Sequence, residues 1–88
     1  MDKEMLTSAI EALLFASGKP VSINTLSIIL EQEKKDIEEA AQNLKIKLAE
    51  RNSGIQLVKI NESYQLCTLE LFYDYICQLL DNRPKPTL

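Results

Sequence analysis

Hydrophobic side chains recur every three or four residues along the first half of the chain, which is the spacing of one face of an α-helix. Three such stretches predict helices over Lys3–Ser17, Ile23–Leu30 and Lys35–Arg51. Gly18 is placed to end the first helix, and Ser22 to cap the start of the second. The inward-facing positions, from the first helix to the third, are Leu6, Ile10, Leu13 and Leu14; Ile23, Leu26 and Leu30; and Ile37, Ala41, Leu44 and Leu48.

The pattern changes after Gly54 to an alternation of apolar and polar residues, which is typical of β-strands. Ile55–Ile60 and Tyr64–Thr68 are predicted to pair as a hairpin across the turn at positions 61–63. We expect Gly54 to take the left-handed conformation that follows the third helix. A fourth helix is predicted over Leu69–Leu80, with the Thr68 hydroxyl as its cap. Its inward positions would be Leu69, Phe72, Ile76 and Leu79.

The order of these elements predicts a winged helix-turn-helix, an α+β fold that is mostly helical, with one extra helix at its C-terminal end. The second and third helices form the helix-turn-helix, and the hairpin forms the wing. We expect one domain over residues 1–81, and an extended linker over residues 82–88, where Pro84 and Pro86 disfavour a helix. The side chains predicted to be fully buried and mutually packed are Leu13, Leu26, Leu44, Leu66 and Phe72.

The amino-acid composition argues against several classes of function. The 88 residues include 10 basic and 13 acidic side chains and no histidine, so the commonest general base and metal ligand are absent. No catalytic constellation, metal site, cofactor site or membrane span is expected. Cys67 and Cys77 have no Cys-x-x-Cys spacing and are interpreted as buried, reduced thiols, although a disulfide between them stays open. We expect a soluble cytoplasmic protein that is not an enzyme.

The predicted recognition helix carries the wrong charge for DNA. It begins Lys35-Asp36-Ile37-Glu38-Glu39, and carboxylates there would face phosphates. The same acids also suit the positive end of the helix dipole, so they need no functional explanation. A DNA-binding transcriptional regulator is the alternative function, with Lys45, Lys47 and Arg51 as the side chains that could contact the DNA backbone weakly.

Several apolar residues fall away from the predicted core. Phe15, Ile28, Ile46 and Leu71 lie on outer helix faces, and together they indicate surfaces that contact protein. The outer face of the first helix, formed by Met5, Ala9, Ala12 and Phe15, is the predicted dimer or partner interface, aided by Ile28 or Ile46. The alternative interpretation is that Met5 and the alanines only broaden the core stripe.

Three sequence blocks resemble a known family. Ile10-Glu-Ala-Leu-Leu-Phe-Ala-Ser-Gly-Lys-Pro-Val-Ser22 is similar to the opening signature of the segregation and condensation protein B family. Gly54-Ile-Gln-Leu57, followed by Tyr64-Gln-Leu66 and Thr68, resembles that family's wing. Arg83-Pro-Lys-Pro-Thr-Leu88 is similar to the linker that precedes the family's second winged-helix domain. One departure lies in the wing, whose tip lacks the glycines that the family often has.

This resemblance implies a function that composition and spacing do not. The family protein is a non-enzymatic scaffold subunit that dimerises through its first winged-helix domain. The dimer binds the kleisin ScpA, which closes the head domains of an SMC ATPase, and the complex acts in chromosome condensation and segregation. The resemblance therefore implies a cytoplasmic homodimer that is associated with the nucleoid through the complex, and a second winged-helix domain beyond Leu88.

Overall fold

The computed structural model describes residues 1–81, and the predicted linker at 82–88 lies outside the described residues. Its elements are α1 (Lys3–Ser17), β1 (Val21–Ser22), α2 (Ile23–Leu30), α3 (Lys34–Glu50), β2 (Ile55–Ile60), β3 (Ser63–Thr68), a 3₁₀ turn (Glu70–Phe72) and α4 (Tyr73–Asp81). The first two helices have the predicted bounds, and α3 begins and ends one residue earlier than predicted. The predicted winged-helix fold is confirmed.

Specific residues begin and end the first two helices. Asp2 caps α1 by accepting a 2.8 Å hydrogen bond from the Met5 N–H, and Ser22 caps α2 in the same way with Thr25 at 3.0 Å. Gly18 ends α1 with a φ of 68°, in the left-handed region, as predicted. Each cap satisfies a backbone group that the helix itself leaves without a partner.

The end of α3 differs from the prediction. Asn52, and not Gly54, takes the left-handed conformation, with a φ of 52°. The Ser53 N–H donates to the Leu48 carbonyl at 3.0 Å and the Asn52 N–H donates to the Ala49 carbonyl at 3.1 Å. These two bonds form a Schellman motif, in which the residue that follows the C-cap, here Asn52 after Arg51, is left-handed. Gly54 lies two residues too late to fill that position.

This difference gives a testable pair of substitutions. Gly18→Ala should lower the free energy of unfolding by about 1–2 kcal/mol, because a Cβ strains the left-handed backbone although nothing lies within 4 Å of it. Gly54→Ala should be neutral or stabilising by up to about 1 kcal/mol, since its Cβ would sit at an ordinary 3.7 Å from the Phe72 ring. Urea unfolding of both variants measures the difference, and equal costs would contradict it.

The three strands form one antiparallel sheet in the order β1-β3-β2. Strand β3 lies in the centre, with Tyr64 opposite Val21 of β1 and Ser63 opposite Ile60 of β2. The wing therefore closes through a two-residue turn, and Asn61 supplies its positive φ of 56° where glycine is often found. The predicted three-residue turn was one residue too long, because Ser63 already belongs to the strand.

The core lies between the three N-terminal helices and the inner face of the sheet. Its fully buried members include Ile10 and Leu14 of α1, Leu26 of α2, and Leu44 of α3, while Tyr64 closes it from the sheet side. The prediction of full burial was wrong for three of its five residues, of which Phe72 is described with the fourth helix. Leu13 and Leu66 are only half-buried and pack against the edge of this cluster.

The predicted fourth helix needs the largest correction. Leu69 precedes a 3₁₀ turn and is its N-cap, so Thr68 caps no helix, and α4 begins only at Tyr73. Phe72, predicted to be core, is 36% exposed, and its ring lies against the backbone of Gly54 at the edge of the wing. Leu79, predicted to face inward, is 75% exposed, because α4 packs chiefly against the 3₁₀ turn and has no buried residue.

Candidate interaction surfaces

The outer side of α1 is a continuous uncharged surface, which we call the N-terminal face. It consists of Met5, Ala9, Ala12 and Phe15, and lies opposite the buried stripe of the same helix. Phe15 is 75% and Met5 61% exposed, Ala12 is exposed, and Ala9 is half-buried. At 100° per residue, the positions between them are Ser8 and Ala16, so no charge interrupts the face.

The two carboxylates of α1 lie at the boundary with α3. Glu4 forms an ion pair with Lys47, and Glu11 accepts a hydrogen bond from Arg51 at 2.8 Å. The hydrogen bond from Lys47 lowers the pKa of the Glu4 carboxyl, and keeps it ionised. These pairs hold the carboxylates of α1 beside the N-terminal face and leave the face itself apolar.

The other two interface candidates lie on different helices. Ile46 is exposed on α3, directly before Lys47, which forms the ion pair with Glu4 of α1. Ile28 is exposed on α2, which packs against α3 and β1. The structure therefore brings the four residues of the N-terminal face together, and leaves Ile46 on α3 and Ile28 on α2.

A second apolar surface was missed by the sequence analysis, apart from Leu71. The C-terminal segment, defined as Glu70–Asp81, exposes six large apolar or aromatic side chains: Leu71, Phe72, Tyr73, Tyr75, Leu79 and Leu80. The helical prediction assigned part of this set to the core. The sequence signal that could have revealed it is the width of the apolar sector, since only Asp74, Gln78 and Asp81 interrupt it within α4.

The recognition helix and the wing do not form a basic surface. Glu38 and Glu39 are exposed in the first turns of α3, as the sequence indicated. The ammonium of Lys59 on the wing lies 3.6 Å from the Glu38 carboxylate and 6.0 Å from the centre of the Tyr64 ring. The one lysine that points from the wing toward α3 is therefore neutralised by an acid of α3, and this disfavours phosphate binding.

Among the described residues, the cleft between α3 and the wing contains no pairing of a nucleophile with a base. It has a volume of about 280 Å³ and is lined by Glu38, Lys45, Lys59 and Tyr64, among others. Burial raises the pKa of the Tyr64 hydroxyl despite the nearby Lys59, which keeps the phenol protonated at neutral pH. Within residues 1–81 no group of three or more metal-ligating side chains occurs.

The two cysteines are free thiols, and their surroundings differ. Cys67 on β3 is half-buried, but Cys77 on α4 is exposed, so the prediction that both are buried was wrong. The reason is that no element within residues 1–81 covers α4. Among the described helices none is long and apolar enough to span a membrane.

Comparisons with known proteins agree on one family. The model of the segregation and condensation complex subunit ScpB matches residues 8–88. Segregation and condensation protein B of Clostridium acetobutylicum is 38% identical over 86 residues, which cover 98% of this chain and 43% of that protein. The Clostridioides difficile protein of the same name is 34% identical over 90 residues, covering 100% of this chain and 50% of that protein. The chain thus spans about half the length of these curated relatives.

Two solved structures extend the comparison to the fold. ScpB from Mycobacterium tuberculosis superposes with a TM-score of 0.85 and 30% identity, over 97% of this chain and 54% of that chain. A dimer of the ScpB N-terminal domain complexed with ScpA peptide gives a TM-score of 0.80 and 26% identity, over 86% of this chain and 95% of that chain. The sequence signature, the winged-helix fold and these matches together show that the chain belongs to the segregation and condensation protein B family.

Proposed function

We propose that the protein is a non-enzymatic scaffold subunit of a bacterial SMC–kleisin complex, which forms a homodimer, binds the kleisin ScpA and acts in chromosome condensation and segregation. One observation carries the proposal: a domain that matches 86% of this chain with a TM-score of 0.80 is a dimer complexed with ScpA peptide. The subunit works in the cytoplasm and associates with the nucleoid through the complex.

The N-terminal face supports the dimer. A two-fold dimer pairs a surface with its own copy, so an uncharged apolar patch suits it better than a patch with one sign of charge. Met5 and Phe15 provide large exposed groups, and Ala9 and Ala12 let a partner helix approach closely. Ile46 and Ile28 would contribute only if the partner also reaches the outer faces of α3 and α2.

Absence of enzymatic activity is part of the same proposal. The chain has no histidine to activate a serine or cysteine, and the α3–wing cleft holds an ion pair and a protonated phenol instead of a nucleophile with a base. The contribution of the protein to the complex is to hold other subunits together.

Kleisin binding tests the function. The protein, mixed with ScpA from the same organism, should give a complex whose mass equals two copies of this chain plus bound ScpA, because the related domain binds ScpA peptide as a dimer. Size-exclusion chromatography with light scattering measures the masses of each component and of the mixture. Separate elution of both proteins at micromolar concentrations would contradict the proposal.

A DNA titration tests the alternative regulator. We expect no saturable binding of a labelled duplex by fluorescence anisotropy in 50 mM salt, since the carboxylates of α3 oppose the phosphates and Lys59 is paired with Glu38. Lys59→Ala should leave this result unchanged. Tight binding that weakens by orders of magnitude between 50 and 200 mM salt would favour the regulator, since release of counterions has that signature.

A further inference from the structure

The C-terminal segment presents an apolar surface that the rest of the described chain leaves uncovered. Leu71, Tyr75 and Leu79 are all at least 70% exposed, and no residue of α4 is buried. A helix of nine residues is too short to be stable in water through its own hydrogen bonds. Because most helical stability in proteins comes from packing of an apolar face, the exposed apolar face of α4 is available to a partner.

The base of this segment is fixed to the wing. The Leu69 N–H donates to the Gly54 carbonyl at 2.9 Å, and the Phe72 ring lies against Gly54. Phe72 and Tyr75 are tilted aromatic neighbours with ring centroids 6.5 Å apart. A partner would thus meet two aromatic side chains on a held base, and such residues often dominate binding energy.

An apolar cleft continues this surface onto the body of the domain. It lies between the end of α3 and β2, has a volume of about 310 Å³, and is lined in part by Leu69, the residue directly before the segment. Leu48, Ile55 and Leu57 contribute its apolar lining. The surface available to a partner therefore extends from α4 past the aromatic pair to the winged-helix core.

The charges of the segment say what kind of partner fits. Glu70, Asp74 and Asp81 are its ionisable carboxylates, and residues 69–81 contain no lysine or arginine. Pairing this surface with its own copy would bring two sets of acids together, whereas the N-terminal face has no such conflict. A segment with apolar side chains flanked by lysine or arginine would be complementary in both respects.

We propose that the C-terminal segment is a docking surface for an amphipathic, basic-flanked segment of the kleisin, while the N-terminal face forms the dimer. This assignment rests on the proposed function, because it takes the kleisin as the partner. The two apolar surfaces then have different occupants, which their charges distinguish. The kleisin segment packs its apolar side chains on the exposed leucines and aromatics, and its basic flanks meet Glu70 and Asp74.

The test measures the affinity of ScpA from the same organism for matched variants by isothermal titration. Leu79→Ser should weaken binding at least about tenfold, since it removes a large exposed apolar group from the docking surface. Ile29→Ser, which alters an exposed apolar residue on α2, should leave the affinity unchanged. Asp74→Lys should also weaken binding, and Glu39→Lys on α3 should not.

The outcomes separate this inference from the proposed function. If wild type binds ScpA and both C-terminal variants bind with wild-type affinity, the docking surface is overturned and the scaffold function stands. If wild type does not bind ScpA at all, the proposed function fails first. If Leu79→Ser converts a dimer to a monomer by light scattering, the segment serves self-association, and the inference is also overturned. Thermal melting at the wild-type midpoint shows that each variant is folded.

Discussion

Replacing Leu44 by alanine should lower the free energy of unfolding by about 2–5 kcal/mol, the range typical of large-to-small changes in a packed core. Leu44 is 1% exposed at the centre of α3, where the helix meets both α1 and β2. Because domains are stable by only about 5–15 kcal/mol and this one is small, the variant should be partly unfolded at 37 °C. Urea unfolding followed by circular dichroism measures the loss.

A matched substitution outside the core is the control for the loss of stability in Leu44→Ala. Ile29 is 56% exposed on α2, and Ile29→Ala should change stability by no more than about 0.5 kcal/mol, as surface changes do. A Leu44→Ala cost below about 1 kcal/mol would mean that the inner face of α3 had been assigned to the wrong side. Both proteins should be compared at one concentration, because dimerisation raises the apparent stability of any folded chain.

The first three helices could be predicted because their signals are local. Ser22 and Gly18 act within one turn of the helix ends that they cap, and the three-and-four spacing of apolar residues depends only on helix geometry. The residue chosen to end α3 was wrong for a local reason also. The Schellman motif needs a left-handed residue at position 52, and asparagine tolerates that conformation. Asn52 therefore has the role that was expected for Gly54.

The last helix could not be predicted from its pattern. Periodicity shows which side chains of α4 share a face, but not whether the fold supplies an element to cover that face. Phe72 and Leu79 follow a helical spacing, yet by Thr68 the three strands and three helices have already closed the core. The same limit applies to the N-terminal face. The spacing of residues predicts that the face is apolar, but it does not predict which partner binds there.

Phe15→Glu combined with Met5→Glu should convert the proposed dimer into a monomer while the domain stays folded. The two carboxylates would lie on the N-terminal face, where a two-fold interface would bury each of them beside its own copy. An unpaired buried charge costs several kcal/mol, so the dissociation constant should rise by at least about 100-fold. Sedimentation equilibrium across a range of concentrations measures the change, and circular dichroism checks that the fold persists.

A matched variant shows whether the effect belongs to this face. Ile60 is an exposed apolar residue on the wing, and Ile60→Glu adds the same charge away from α1 and should leave the dimer intact. If the double variant keeps the dimer mass and the fold, the interface lies elsewhere, and Ile46→Glu and Ile60→Glu then distinguish the outer face of α3 from the wing. If only Ile46→Glu separates the protomers, the interface is centred on α3, and Met5 and the alanines merely widen the apolar side of α1.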